Sequence, residues 1–443
     1  MTDLLAILLP ALAMGLGWGI RGQFGHQSGA MVPGALVGLA LGAVSLREPS
    51  SAQVLRLAAV AALGCSIGGV MTYGQTLGLV HDQPRSPTRW WGLLGVAVKG
   101  SVWIGLTGAF IGMAGSGVAY RPGELALLTV ALAMAARLGV LLVNRPHRPP
   151  EALPRIYFSK RADPKPRPEF WGGLWLALLC LLAYLWFLRG DSFAVALAGW
   201  GVLGGAIGFA GGEWLQMWGT HARPFGDACQ RWMDWWKVME VSFGAVAGAA
   251  LGLGWRRLEA GADAFAVVDA TLPAALEVGL LIVWTAWFVA AECYWRPAES
   301  VWELSFIAIV LPMVGVFGGR LWPAFVVLPM LVWASGDNVV HQWTTRHRLM
   351  SARLAWPLLL GLTLVASFIA WRWVIGEAGA PAWLTLVAWV QTGLTVLWAF
   401  GTRPVAEAGR GLSRLLAAGS ALPVEASFVV MAAVVTALAH LPR

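Results

Sequence analysis

The chain has 443 residues, of which 58% are hydrophobic and 12% charged, with a formal net charge of +8 and a mean hydropathy of +0.68. Soluble proteins carry roughly a quarter charged residues, so this chain holds too few to cover a water-soluble globule of its length. That excludes a soluble enzyme, a disordered chain and a nucleic-acid-binding domain, and it assigns the basic surplus to membrane-flanking loops, where Lys and Arg concentrate.

The N-terminal Met1-Thr2-Asp3 runs straight into an apolar segment, with no positive n-region and no small-residue cleavage site. It reads as a first membrane helix, not a removed signal peptide. A bilayer core about 30 Å thick takes about 20 apolar residues per helix. On that measure, spans are predicted near 4–20, 30–46, 55–80, 91–114, 124–144, 170–188, 193–219, 235–255, 274–295, 305–322, 324–336, 357–375, 383–401 and 427–441. The expected fold is an all-α integral membrane protein, a polytopic bundle of about 12–14 transmembrane helices. The second, eleventh and last segments are short.

The first turn, Arg21-Gly-Gln-Phe-Gly-His26-Gln-Ser-Gly29, is short, polar and glycine-punctuated. Irregular backbone near membrane depth is tolerated where it is buried in protein or lines a water-filled cavity. Its amides, Arg21 and His26 suit an anionic or hydroxyl-rich ligand. Gly17-Trp-Gly19-Ile-Arg-Gly22 has GxGxxG spacing, but the dinucleotide fingerprint needs a preceding strand and a βαβ unit, and here a membrane helix precedes it. The same glycines belong to a four-residue spacing that recurs at Gly34/Gly38/Gly42, Gly64/Gly68, Gly108/Gly112, Gly204/Gly208/Gly212 and Gly244/Gly248/Gly252. Small residues four apart share one helix face and let backbones approach closely.

The clearest break is 145–169, rich in proline and carrying Arg145, Arg148, Arg155, Lys160, Arg161, Lys165 and Arg167. Proline forbids helix interiors, and the basicity places this loop in the cytoplasm, most simply beneath a bacterial inner membrane. It divides the chain into a helical unit 1–144 and a second unit 170–443. Only Trp18, Trp90, Trp91 and Trp103 precede it, against 27 tryptophans in all, which points to the second half as the shaper of a site. The loop itself shows little sign of a fold.

An internal parallel repeat is expected at an offset of 140. It pairs Leu63-Gly64 with Leu203-Gly204, Ile67-Gly68 with Ile207-Gly208, His81 with His221, Pro84 with Pro224 and Gly108-Ala109 with Gly248-Ala249. Repeated helix bundles with broken helices are a common plan of secondary transporters.

Ionisable residues inside apolar runs are costly and face a bundle interior or a cavity. Lys99, Glu213, Glu240, Glu292 and Arg320 are such residues. Glu213 and Glu240 sit near facing ends of consecutive segments, at a similar depth of about 8–9 Å. Two such carboxylates share a proton or recruit a cation, and the repeat puts Lys99 opposite Glu240 as its expected partner. Glu292 opens a stretch dense in acids and aromatics, and Asp337 and Asn338 follow another apolar run. Rings beside carboxyl and amide groups suit sugar-like or amphipathic ligands. The four cysteines form no CxxC and no Cys/His cluster, so neither a metal nor a cofactor is expected.

The functional expectation is a secondary transporter, H⁺-coupled through buried acids, for a small polar or amphipathic (sugar-like or anionic) solute. Its partners are the lipid bilayer and that small-molecule substrate, without nucleic acid. The alternative is an integral-membrane enzyme on a lipid-linked or amphipathic substrate, with Glu213, Glu240, Glu292 or Asp337 as acid/base groups. The lack of a folded extramembrane domain favours transport.

Overall fold

A computed structural model describes residues 3–46, 48–81, 87–147, 152–161, 165–224, 235–258, scattered positions between 273 and 290, 322–346, 350–402 and 423–441. Every regular element among them is a helix. In chain order these are α1 (Asp3–Arg21), α2 (Gln27–Val44), α3 (Ser51–Gly68), α4 (Gly74–Val80), α5 (Pro87–Gly115), α6 (Pro122–Gly139), α7 (Trp171–Ala183), α8 (Ser192–Ala222), α9 (Trp235–Leu258), α10 (Trp322–His341), α11 (Ala352–Ile375), α12 (Ala380–Thr402) and α13 (Pro423–Ala439). A single π turn extends α6, α7 and α10. Among the described residues, ten helices are long and apolar enough to cross a membrane, which makes this a multi-pass membrane protein. The expected span 305–322 lies almost wholly outside the described residues, and 274–295 is described only at scattered positions.

Local sequence explains the helix starts. Ser50 and Gln53 form a reciprocal capping box before α3, satisfying amides that the first turn leaves unpaired. Asp191 caps α8 by accepting from Ala194 N at 2.9 Å. The same carboxylate accepts from Ser116 Oγ at 2.7 Å and from the Tyr120 hydroxyl. Burial, followed by the Asp191 charge, pushes the Tyr120 phenol well above its ordinary range, so it stays a donor.

Six helices pack as a closed circuit: α1 on α2, α2 on α3, α3 on α5, α5 on α8, α8 on α9, and α9 back on α1. The circuit draws on both sides of the 145–169 loop. A Cβ on Gly34 or Gly38 would strike the α3 backbone, one on Gly108 or Gly112 the α8 backbone, and one on Gly248 or Gly252 the α1 backbone. Gly100 and Gly205 face each other's carbonyls. Across the middle, Trp18, Trp103, Phe209 and Phe243 pack ring on ring. Helix α2 is the innermost, 94% buried, and α11 the most peripheral, 17% buried. Trp383 on α12 donates to Ser51 Oγ at 2.8 Å and fastens the C-terminal helices to the start of α3.

The expected single span 55–80 is broken. Helix α3 stops at Gly68 and α4 starts at Gly74. The position of a Gly68 Cβ is taken by the Trp103 indole, and that of a Gly69 Cβ by the His26 carbonyl. The Thr72 carbonyl turns away to accept from Lys99 Nζ at 2.6 Å, so a lysine supplies a bond that a continuous helix would have made internally.

Gly100→Ala is expected to cost about 1–3 kcal/mol by overpacking, because its new methyl meets Gly205 O. Gly199→Ala, in the same membrane with open space around it, is expected to gain up to about 1 kcal/mol of helix propensity. Thermal unfolding of the two variants in detergent checks the contrast.

Candidate functional site: a basic cavity beside a caged arginine

The turns after α1 and α3, the C-terminal end of α8 and the described part of the loop before α7 lie at one end of the bundle, joined by side-chain contacts. The described residues of the 145–169 loop are folded onto this end, against expectation. Trp91 Nε1 donates to Tyr157 O at 2.9 Å, Thr72 Oγ1 to Pro168 O at 2.9 Å, and Gln75 Nε2 to Lys165 O at 2.9 Å. Phe158 seats against Gly95, where a Cβ would exclude it.

The pin of this arrangement is Lys99. Its Nζ lies 2.7 Å from Glu169 Oε1 and 2.7 Å from Thr76 Oγ1. Glu169 also accepts from Phe158 N, Ser159 Oγ and Trp171 Nε1 at 3.0, 2.8 and 3.1 Å. Lys99 and Glu169 are both 1% exposed. The expected pairing of Lys99 with Glu240 is therefore corrected. A residue in a loop that looked formless supplies the counter-ion, and every strong hydrogen-bonding group of the pair is satisfied.

Glu240 pairs instead with Lys237 one turn away, at 2.6 Å, and accepts from Trp236 Nε1 at 3.1 Å. Lys237 reaches on to Gly19 O at 3.0 Å, so this cluster ties α9 to the end of α1. Glu213, wholly buried, meets His81 Nε2 at 3.2 Å, a charge contact without hydrogen-bond alignment. The His81 ring stacks on His221 at 6.0 Å between centroids, and His221 Nδ1 lies 2.8 Å from Met217 O. Glu213 and Glu240 thus have separate partners and do not form one shared carboxylate site.

Between the α3–α4 break, the α6–α7 hairpin and the first turn lies a cavity of about 580 Å³, within the range of small-molecule sites. His26, Arg137 and Arg167 are its ionisable lining besides Tyr73, and no carboxylate is among the described lining residues. Val70, Met71, Ala133, Val140, Phe170 and Leu174 form an apolar wall. Partial burial first, then the charges of Arg21 and Arg167, hold His26 below its ordinary pKa of 6.5. The imidazole is consequently neutral at pH 7 and becomes a third cation only on acidification.

Behind the cavity sits Arg21, 2% exposed. Its guanidinium carbon lies 5.1 Å from the Trp18 and Trp103 ring centroids and 5.4 Å from that of Tyr73. It donates to the Tyr73 hydroxyl and, at 3.4 Å, to His26 O. Tyr73 and His26 also line the cavity, so they form the partition between it and Arg21.

Of the residues singled out from the sequence, Arg21 and His26 meet here. Lys99 borders the region through Thr72. Asp337 is buried on α10, and Asn338 donates to Ala334 O at 3.0 Å on the same helix. Neither lines the cavity. Glu292 and Arg320 lie outside the described residues. Trp236 is the lone tryptophan among the described lining residues, while Trp284, Trp287, Trp295 and Trp302 of the tryptophan-rich half lie outside the described residues. Sequence reasoning missed Tyr73, Arg137 and Arg167 as site residues. Tyr73 and Glu213 stand 140 residues apart, and that correspondence is the one sequence signal pointing at Tyr73. Comparison with protein-family models, curated proteins and solved structures found no match.

Lys99→Met leaves the Glu169 carboxylate buried without its cation, at an expected cost of about 3–5 kcal/mol. Trypsin cleavage within 145–169 should accelerate in the same variant, because the loop loses its anchor. Unchanged melting and unchanged proteolysis would show that the pair does not hold the loop.

Proposed function

We propose that the protein is a membrane transporter for a small amphipathic organic anion, with the 145–169 end in the cytoplasm. One observation carries the reading: the cavity combines two arginines and a histidine with a long apolar wall and has no carboxylate among its described lining residues. Arginine forks hold an oxyanion, and the wall takes an apolar tail. Among the described lining residues His26 is the one group suited to general acid or base work, and the buried acids Glu169, Glu213 and Glu240 are each engaged elsewhere. The break between α3 and α4 borders the cavity, in keeping with transporters whose sites form at discontinuous helices.

The finer organisation belongs to the same reading. We infer that the glycine faces and the 140-residue offset record a parallel repeat, of which the stacked His81 and His221 are matched members. Under this reading Glu213 is the proton-coupling group, reached from the half-exposed His81. The basic end and its loop fit the cytoplasmic face of an inner membrane.

A second reading, an enzyme on a lipid-linked substrate, draws on the α6–α7 wall, whose outer faces carry exposed Leu127, Met134, Leu142 and Phe187. Turnover by purified protein without vesicles or a gradient would favour it.

Octanesulfonate, permanently charged and tailed, is a suitable probe. Proteoliposomes should accumulate it, and Arg137→Gln/Arg167→Gln should reduce uptake at least about tenfold, the loss of a charge-assisted hydrogen bond or more. Glu213→Gln should keep downhill uptake and lose stimulation by a pH gradient. Undiminished uptake by the double arginine variant would remove the cavity from the pathway.

Binding should also depend on pH. Because His26 is neutral above its lowered pKa, octanesulfonate affinity should rise as pH falls below about 6.5, and His26→Gln should abolish that rise. Isothermal titration in nanodiscs reads both.

A further inference from the structure

Three cations among the described residues are buried: Arg21, Lys99 and Lys237. Lys99 holds Glu169, and Lys237 holds Glu240, at 2.7 and 2.6 Å. Arg21 has no carboxylate partner among the described residues. Its acceptors are a phenol oxygen and a distant carbonyl, and its Nε is buried without any partner. The indole Nε1 of Trp18, whose ring lies against the guanidinium, is likewise buried and unpartnered. An unpaired buried charge is strongly disfavoured, and contact with three aromatic rings offsets only part of that. The arrangement is a set of donors awaiting an acceptor.

We propose that Arg21, with Trp18 Nε1, is an inner binding site for the oxyanion head group of the transported solute, entered from the cavity when Tyr73 releases the guanidinium. This rests on the transport reading and deepens it by naming the second station of the path. The donor chemistry fits a carboxylate, sulfonate or phosphate group. The Arg21 charge repels a cation, and it compensates a desolvated anion as the Lys99 ammonium does for Glu169. Tyr73 is placed as the gate because it alone both lines the cavity and caps Arg21 through a side-chain oxygen. Gly69 lets α3 end against the His26 carbonyl, which closes the other side of the partition.

Equilibrium binding of radiolabelled octanesulfonate to full-length protein in nanodiscs tests the proposal. Arg21→Met should weaken binding at least about tenfold while its melting temperature stays equal or rises, since an uncompensated buried charge has been removed. A purely structural arginine would give the opposite pair of results. Arg21→Lys, which keeps the charge and loses the fork, should fold and bind severalfold more weakly, and it carries the test if Arg21→Met does not fold. Competition by inorganic phosphate at comparable affinity assigns a small free oxyanion. Competition by tailed sulfonates alone assigns an amphipathic one, and either supports the site. Wild-type affinity in the Arg21 variants overturns it. If Arg137→Gln/Arg167→Gln still weakens binding in that case, the cavity reading stands without the inner site. If neither set of variants weakens binding, both fall.

Discussion

A guanidinium enclosed by aromatic rings, without a carboxylate beside it among the described residues, is the constraint around which this end of the protein is built. Arg21 ends α1, and the turn that follows must fold back so that the His26 carbonyl reaches it. That turn uses Gly25 at φ +85°, a conformation glycine adopts at little cost. Trp103 must stand beside the arginine, and it does so by donating to Cys65 O at 2.7 Å and by occupying the space left open at Gly68. Tyr73 must face it from the other side, which requires α3 to break where it does. The cavity is the space this break leaves between the six-helix circuit and the α6–α7 hairpin.

The remaining charges near this end divide by what they touch. Lys99 with Glu169, and Lys237 with Glu240, are paired inside protein and organise backbone: the first pins the loop and the freed Thr72 carbonyl, the second joins α9 to α1. Arg137 and Arg167 are exposed and line the cavity, and His26 adds a charge only in acid. Paired charges of the first kind add little net stability compared with apolar packing, but losing one partner is costly. The division accounts for a site that is strongly basic in a region that also contains several acids.

Much of the class was legible from the sequence. Apolar runs of bilayer length gave most helices, because backbone in hydrocarbon has no other way to satisfy its polar groups. Lys99 stood out because charge at that depth demands a reason, and Arg21 and His26 because a polar, irregular turn near membrane depth does. Their partners were not legible. Depth along a helix says nothing about azimuth, so two acids at similar depth looked like neighbours although Glu213 faces α4 and Glu240 faces α1. Glu169 was hidden in a proline-rich loop whose order comes from tertiary bonds to Thr72, Gln75 and Trp91 and not from local propensity. Arg167 was counted as a topology signal, and its place in the cavity follows from that same docking. The tryptophans drew attention to the second half, yet the rings that matter for Arg21 are Trp18 and Trp103, from the sparse first half.

The account stands on a path for an amphipathic oxyanion that begins in the basic cavity. Solid-supported-membrane electrophysiology tests this most directly, with proteoliposomes of the Glu213→Gln variant, whose uptake is uncoupled from H⁺, exposed to a jump in octanesulfonate concentration. The account predicts a saturating transient with the sign of negative charge entering the vesicle. A trace indistinguishable from that of protein-free vesicles would contradict it.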